Sequence, residues 1–235
     1  SSSCTVNLGD SPSSAVGSGA AFTNNGTINA TSGNWSVTVG NVGFTNNGTI
    51  NTSGTWTITG AARGVLVNNG TIDHTGTGWD VNDYGLTNSA GATTTFNGTS
   101  ISIEWNFVYG GSFNLSGKTV TLDGVDDTDD TTLTCNATIA GNITINKTHA
   151  TGDTTFNNDC TIGGTLTRTN GPINASSGLT TLTVLGNFSA TTTDTLGQSS
   201  STLSFASSGI QYASSTGVPW GGPIQINSSS TGELR

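Results

Sequence analysis

Hydrophobic and polar positions alternate along much of this chain. In Thr55-Trp56-Thr57-Ile58-Thr59, Trp56 and Ile58 share one side and three threonines the other. That period of two belongs to a β-strand, whose successive side chains point to opposite faces. No stretch repeats apolar residues at i, i+3, i+4 and i+7 over a helical length. The strand-like segments are rich in Thr, Val, Ile and Trp, which suit a pleated surface. A longer period overlies the short one. Phe22-Thr23-Asn24-Asn25-Gly26-Thr27-Ile28-Asn29 returns unchanged as Phe44-Thr45-Asn46-Asn47-Gly48-Thr49-Ile50-Asn51, and Leu66 to Asp73 is an altered third copy, each 22 residues after the last. The apolar positions fall into columns: Phe22, Phe44, Leu66; Ile28, Ile50, Ile72; Trp35, Trp56, Trp79; Val37, Ile58, Val81. The Asn-Gly and Ser-Gly pairs between them are expected to supply the positive φ that tight turns need.

A fixed period in this range marks a solenoid, each repeat one coil stacked on the next. The predicted fold is all-β, a right-handed parallel β-helix with coils of about 22 residues. The Ser- and Gly-rich segment 1–21 reads as an N-terminal arm or cap. Residues 22–124 form a first repeat block, and 125–132 an acidic turn. A second block, 133–217, carries Thr138-Ile139-Ala140-Gly141, Thr161-Ile162-Gly163-Gly164 and Val184-Leu185-Gly186. Residues 218–235 read as a terminal strand or connector.

The Asn-Gly-x-Ile copies resemble the degenerate repeats of secreted bacterial and archaeal β-helix surface proteins, including adhesins of the filamentous-haemagglutinin and autotransporter-passenger type. The resemblance is strongest over Phe22 to Val81 and looser to about Ala190. It implies extracellular display, attachment or scaffolding, and no shared active site.

Composition narrows the function. With 8% of residues charged and a net charge of −9, the chain lacks the basic footprint of a nucleic-acid binder. No apolar run is long enough to span a bilayer, so membrane insertion is not expected. The absence of Met means that Ser1 is not a translation start, and a removed leader or a longer parent chain is expected. Three cysteines, Cys4, Cys135 and Cys160, suit an oxidising compartment. Cys135 and Cys160 fall in corresponding parts of adjacent coils, where Cα atoms come within disulfide range, so a bridge is expected between them. Cys4 is then left free or bonded to another subunit.

Five of the fourteen acidic residues, Asp123, Asp126, Asp127, Asp129 and Asp130, cluster in eight positions. They are candidate calcium ligands, because Ca²⁺ takes six to eight oxygens, although the spacing is not that of an EF-hand. No other cofactor is expected. Asp73, His74, Asp80 and Asp83 form a second cluster, and paired carboxylates serve glycoside hydrolysis. Nothing in the sequence assembles a base, its orienter and a cleft, so His74 reads as an exposed turn residue and the chain as a non-enzyme. Thr-x-Thr runs at Thr55–Thr59, Thr132–Thr134 and Thr181–Thr183 evoke ice-binding surfaces, but as Thr columns they read as scattered. Asn-x-Ser/Thr sequons occur at Asn25, Asn29, Asn34, Asn47, Asn51, Asn69, Asn97, Asn114, Asn136, Asn142, Asn146, Asn174, Asn187 and Asn227. Within the Asn-Asn pairs, Asn24, Asn46 and Asn68 are expected to stack as an internal ladder, with Asn25, Asn47 and Asn69 facing out to carry sugars.

The sequence thus points to a cell-surface, extracellular structural protein, glycosylated and assembled head to tail into a homopolymeric filament. Surface or host-cell glycans are further candidate partners. The alternatives are a segment of a large β-helical adhesin, a monomeric ice-binder and a carbohydrate-active enzyme.

Overall fold

The computed structural model describes residues 5–9, 13–15, 21–39, 43–60, 64–81, 84–124, 130–148, 152–191, 200–207, 212–215 and 220–226. It is a parallel β-solenoid of about eight turns, with coils roughly 22 residues apart. Among the described residues there is no helix. The chain divides into two compact units, Ser1–Asn114 and Leu115–Arg235.

In the first unit each coil visits three sheets in turn. The first sheet stacks Thr5–Asn7, Thr27–Ala30, Thr49–Thr52, Thr71–His74, Thr93–Phe96 and Ser112–Phe113. The second stacks Ser13–Ala15, Trp35–Val39, Thr55–Gly60, Gly78–Val81 and Ser100–Ile103. The third stacks Phe22–Asn24, Phe44–Asn46, Gly64–Asn68, Tyr84–Asn88 and Phe107–Tyr109. Pairing is parallel and in register, Phe22 against Phe44 and Phe44 against Leu66, Ile28 against Ile50 and Ile50 against Ile72. Segment 1–21 contributes two described strands. Its Thr5–Asn7 pairs with Thr27–Asn29, and its Ser13–Ala15 with Ser36–Thr38, as parts of a preceding coil.

Period-two alternation decides what is buried. Trp35, Trp56 and Trp79 are buried one above another, with ring centroids 5.1 and 4.7 Å apart and planes within 10°. Such stacked aromatic pairs add to the energy of area burial. The corner glycines act differently from the sequence expectation. Gly33 and Gly54, of the Ser-Gly pairs, do have positive φ, 80° and 74°. Gly48 and Gly70, of the Asn-Gly pairs, do not. There the coils approach so closely that a Cβ on Gly48 would lie 2.0 Å from the Gly26 carbonyl oxygen, and one on Gly70 2.1 Å from that of Gly48.

The second unit repeats the three-sided plan. One sheet holds Thr119–Gly124, Asn142–Lys147, Leu166–Asn170, Phe188–Ala190 and Ala213–Ser215. Another holds Thr131–Cys135, Thr154–Phe156 and Ile173–Ala175. The last holds Cys160–Ile162, Thr181–Val184, Thr202–Phe205 and Ile224–Ile226. Thr131 and Thr132 belong to a strand rather than to the acidic turn. Cys135, closing one strand, is joined by a disulfide to Cys160, opening another, with Cα atoms 5.2 Å apart. Ile139 bridges Ile162 beside them.

Candidate functional site

Three classes of feature were legible as candidate sites: the acidic and histidine clusters, the asparagine rows and the strands at the ends of the described coils. The acidic run lies mostly outside the described residues, which include Asp123 and Asp130 but not Asp126, Asp127 or Asp129. Asp130 Oδ1 accepts the Asp153 backbone N–H at 3.0 Å, and Asn174 donates to Asp153 Oδ2 at 2.5 Å. Burial raises the Asp153 carboxyl above its ordinary value, and the nearby Asp130 charge adds to that shift. Among the described residues no three His, Cys, Asp or Glu side chains gather as a metal would require.

His74 is not exposed. It ends a strand whose alternation sends Ile72 and His74 inward and Asp73 outward, and it is wholly buried. Its ring stacks on Phe96 with centroids 5.4 Å apart, and its Nδ1 lies 2.6 Å from Thr52 Oγ1. Nε2 has no hydrogen-bond partner. Desolvation lowers its pKa to about 4, against smaller upward pulls from the Gly78 carbonyl and the Asp73 charge. His74 is therefore a neutral core side chain. Asp73 and Asp80 sit on the outer faces of two different sheets, and Asp83 lies outside the described residues.

The asparagines form three rows. Inside, Asn24 donates to Asn46, Asn46 to Asn68 and Asn68 to Asn88, at 2.8, 2.8 and 2.9 Å. The expected ladder is present and runs one coil further. Outside, Asn47 donates to Asn25 at 2.9 Å and Asn69 to Asn47 at 3.0 Å. These three do face out, but they make a ladder of their own. A third row, Asn7, Asn29 and Asn51, is linked at 2.7 Å at each step. Of the sequon asparagines, Asn227 lies outside the described residues and none of the other thirteen is buried: Asn25, Asn34, Asn47, Asn69, Asn97, Asn114, Asn136 and Asn187 are exposed, and Asn29, Asn51, Asn142, Asn146 and Asn174 half-buried.

Two cations that sequence reasoning counted only as charge lie inside the second unit. Lys147 and Arg168 are wholly buried. Lys147 Nζ donates to the Asp123 carbonyl and Arg168 Nε to the Gly171 carbonyl. Alternation was the available signal, since Ile143, Ile145 and Lys147 share a face, as do Leu166 and Arg168. Trp220 also turns inward, its indole N–H donating to the Ser201 carbonyl at 2.8 Å.

The exposed large hydrophobics among the described residues are Val6, Tyr212, Ile224 and Ile226. Val6 continues the column of Ile28, Ile50 and Ile72. Ile224 and Ile226 continue those of Leu203 and Phe205. The strands that carry them each pair on one side only among the described strands. Comparison with protein families, curated proteins and solved structures finds nothing that matches this chain.

Proposed function

We propose that this chain is an extracellular structural protein, a glycosylated subunit of a cell-surface filament whose copies stack head to tail. The observation that carries this reading is the exposure of inward columns on the outermost described strands. Val6 is 43% exposed, Ile224 55% and Ile226 54%, whereas their column mates Ile28, Leu203 and Phe205 are buried. A strand that ends a described sheet and bears exposed apolar side chains is a template for another strand. A coil from a second copy supplies backbone partners and covers the column in one step. Each of these side chains is about half exposed, so covering the remainder contributes on the order of 1 kcal/mol, half of what burying such a side chain entirely would give. Repetition of one such heterologous contact generates a filament. The eight exposed sequon asparagines, Asn29 and Asn51 not among them, support the glycosylated state.

The test is negative-stain imaging and sedimentation of the native material, with intact-mass spectrometry for the sugars. Filaments with a regular axial repeat, and mass in excess of the 23.6 kDa polypeptide, are expected. A chain that stays monomeric at high concentration overturns the filament, and the same edges are then those of a segment within a larger β-helical adhesin.

A further inference from the structure

The first sheet of the first unit turns an unusually regular face outward. Thr5 pairs with Thr27, Thr27 with Thr49, Thr49 with Thr71 and Thr71 with Thr93. This is one unbroken rank of threonine through five strands, and Ser112 continues it. Two residues along each strand runs the second rank, Asn7, Asn29, Asn51, Asp73 and Thr95. The threonines are therefore not scattered on this face. They recur at the 22-residue period but lie on other strands than the Thr55–Thr59, Thr132–Thr134 and Thr181–Thr183 runs.

We infer that this face binds ice. Successive hydroxyls of a rank repeat at the strand spacing of about 4.8 Å, and the two ranks stand about 6.6 Å apart, two residues along a strand. Both repeats approach those between oxygen atoms on faces of hexagonal ice. Every rank position except Asp73 offers a hydroxyl or amide at which a first-layer water is held, and each Thr methyl excludes disordered water beside it. The amide links Asn7–Asn29–Asn51, each 2.7 Å, hold the second rank in place, so little side-chain freedom remains to be lost on contact. Asp73 is the one charged residue in the two ranks, so the complementary surface is low in charge as well as periodic. A neutral, hydrogen-bonding lattice meets those requirements. This inference concerns an outer face and does not depend on head-to-tail stacking.

The experiment uses the full chain made in a host without N-glycosylation, because a sugar on Asn29 or Asn51 would cover the face. Ice-crystal shaping and inhibition of ice recrystallisation are measured for the wild type, Thr49→Tyr, Thr93→Tyr and Thr23→Tyr, with circular dichroism to verify the fold of each. Thr93 is exposed on this face, and Thr23 is exposed on the third sheet. The wild type and Thr23→Tyr are expected to shape ice. Thr49→Tyr and Thr93→Tyr are expected to need an order of magnitude more protein, a loss of about 1.4 kcal/mol of binding. Absence of wild-type shaping, equal activity of all four chains, or lateral bundling of copies as the only effect of this face overturns the inference.

Discussion

Asn46 donates its side-chain amide to Asn68 Oδ1 at 2.8 Å and to the Thr71 carbonyl at 3.0 Å, and its own oxygen accepts from Asn24. All of this happens in the core, where a polar group left without a partner costs about 1–3 kcal/mol. Asn46→Ala is expected to destabilise the fold by at least about 2 kcal/mol, whereas Asn47→Ala, in the exposed row, stays within about 0.5 kcal/mol. Urea unfolding of the two variants checks the contrast. His74 supplies a pH dependence. Its folded pKa, about 4, lies below the 6.5 of the unfolded chain. A group held neutral this way contributes stability that is complete above pH 6.5 and is lost as the pH falls toward 4. The loss is on the order of 3 kcal/mol. His74→Phe is expected to flatten that part of the stability profile, read from urea midpoints across the same window. The sequence showed the internal asparagines because identical copies align at 22 residues. It hid Asn88, because the step from Asn68 shortens to 20. It also hid the burial of His74, whose type suggests a turn although its parity in Thr71-Ile72-Asp73-His74 points inward.

At the scale of the element, the coil is defined by how closely its corners stack. Backbone approaches backbone at Gly26, Gly48 and Gly70, and the Thr49 and Thr71 amides each donate across the gap to a glycine carbonyl at 2.8 Å. No flexible side chain is available to yield there. Gly48→Ala is expected to cost at least about 1–3 kcal/mol, as for overpacking of a filled core. Gly78 opens a strand, and a Cβ there meets nothing within 4 Å, so Gly78→Ala is expected to stay within about 0.5 kcal/mol. Thermal unfolding of both variants tests whether corner stacking or strand propensity governs the coil. The apolar columns were legible, since a period-two strand repeated at a fixed interval leaves few ways to align Phe22 with Phe44 or Trp35 with Trp56. The outer ranks were less so. An exposed threonine contributes no apolar signal, so although Thr5, Thr27, Thr49, Thr71 and Thr93 follow one another at the 22-residue period, it is the register of the paired strands that sets them in one line on one face. Lys147 and Arg168 escaped because a cation is expected outside, whatever its parity.

For the whole molecule, the proposed assembly sets two forces against each other. The net charge of −9 repels copies at long range, and salt screens that repulsion. Burial of Ile224, Ile226 and Val6 favours contact at short range. Two substitutions at one site separate them. Ile226→Lys changes the net charge from −9 to −8, and Ile226→Glu from −9 to −10. If general electrostatics governed assembly, the lysine variant would assemble more readily than the wild type and the glutamate variant less. If the apolar column is the contact, both variants bury an unpaired charge and both lose assembly. Sedimentation at matched protein concentration, at low and at physiological ionic strength, is expected to show the second pattern. The wild type should assemble more fully as salt rises, and neither variant should recover at the higher salt. An assembling Ile226→Lys chain would remove this strand from the interface.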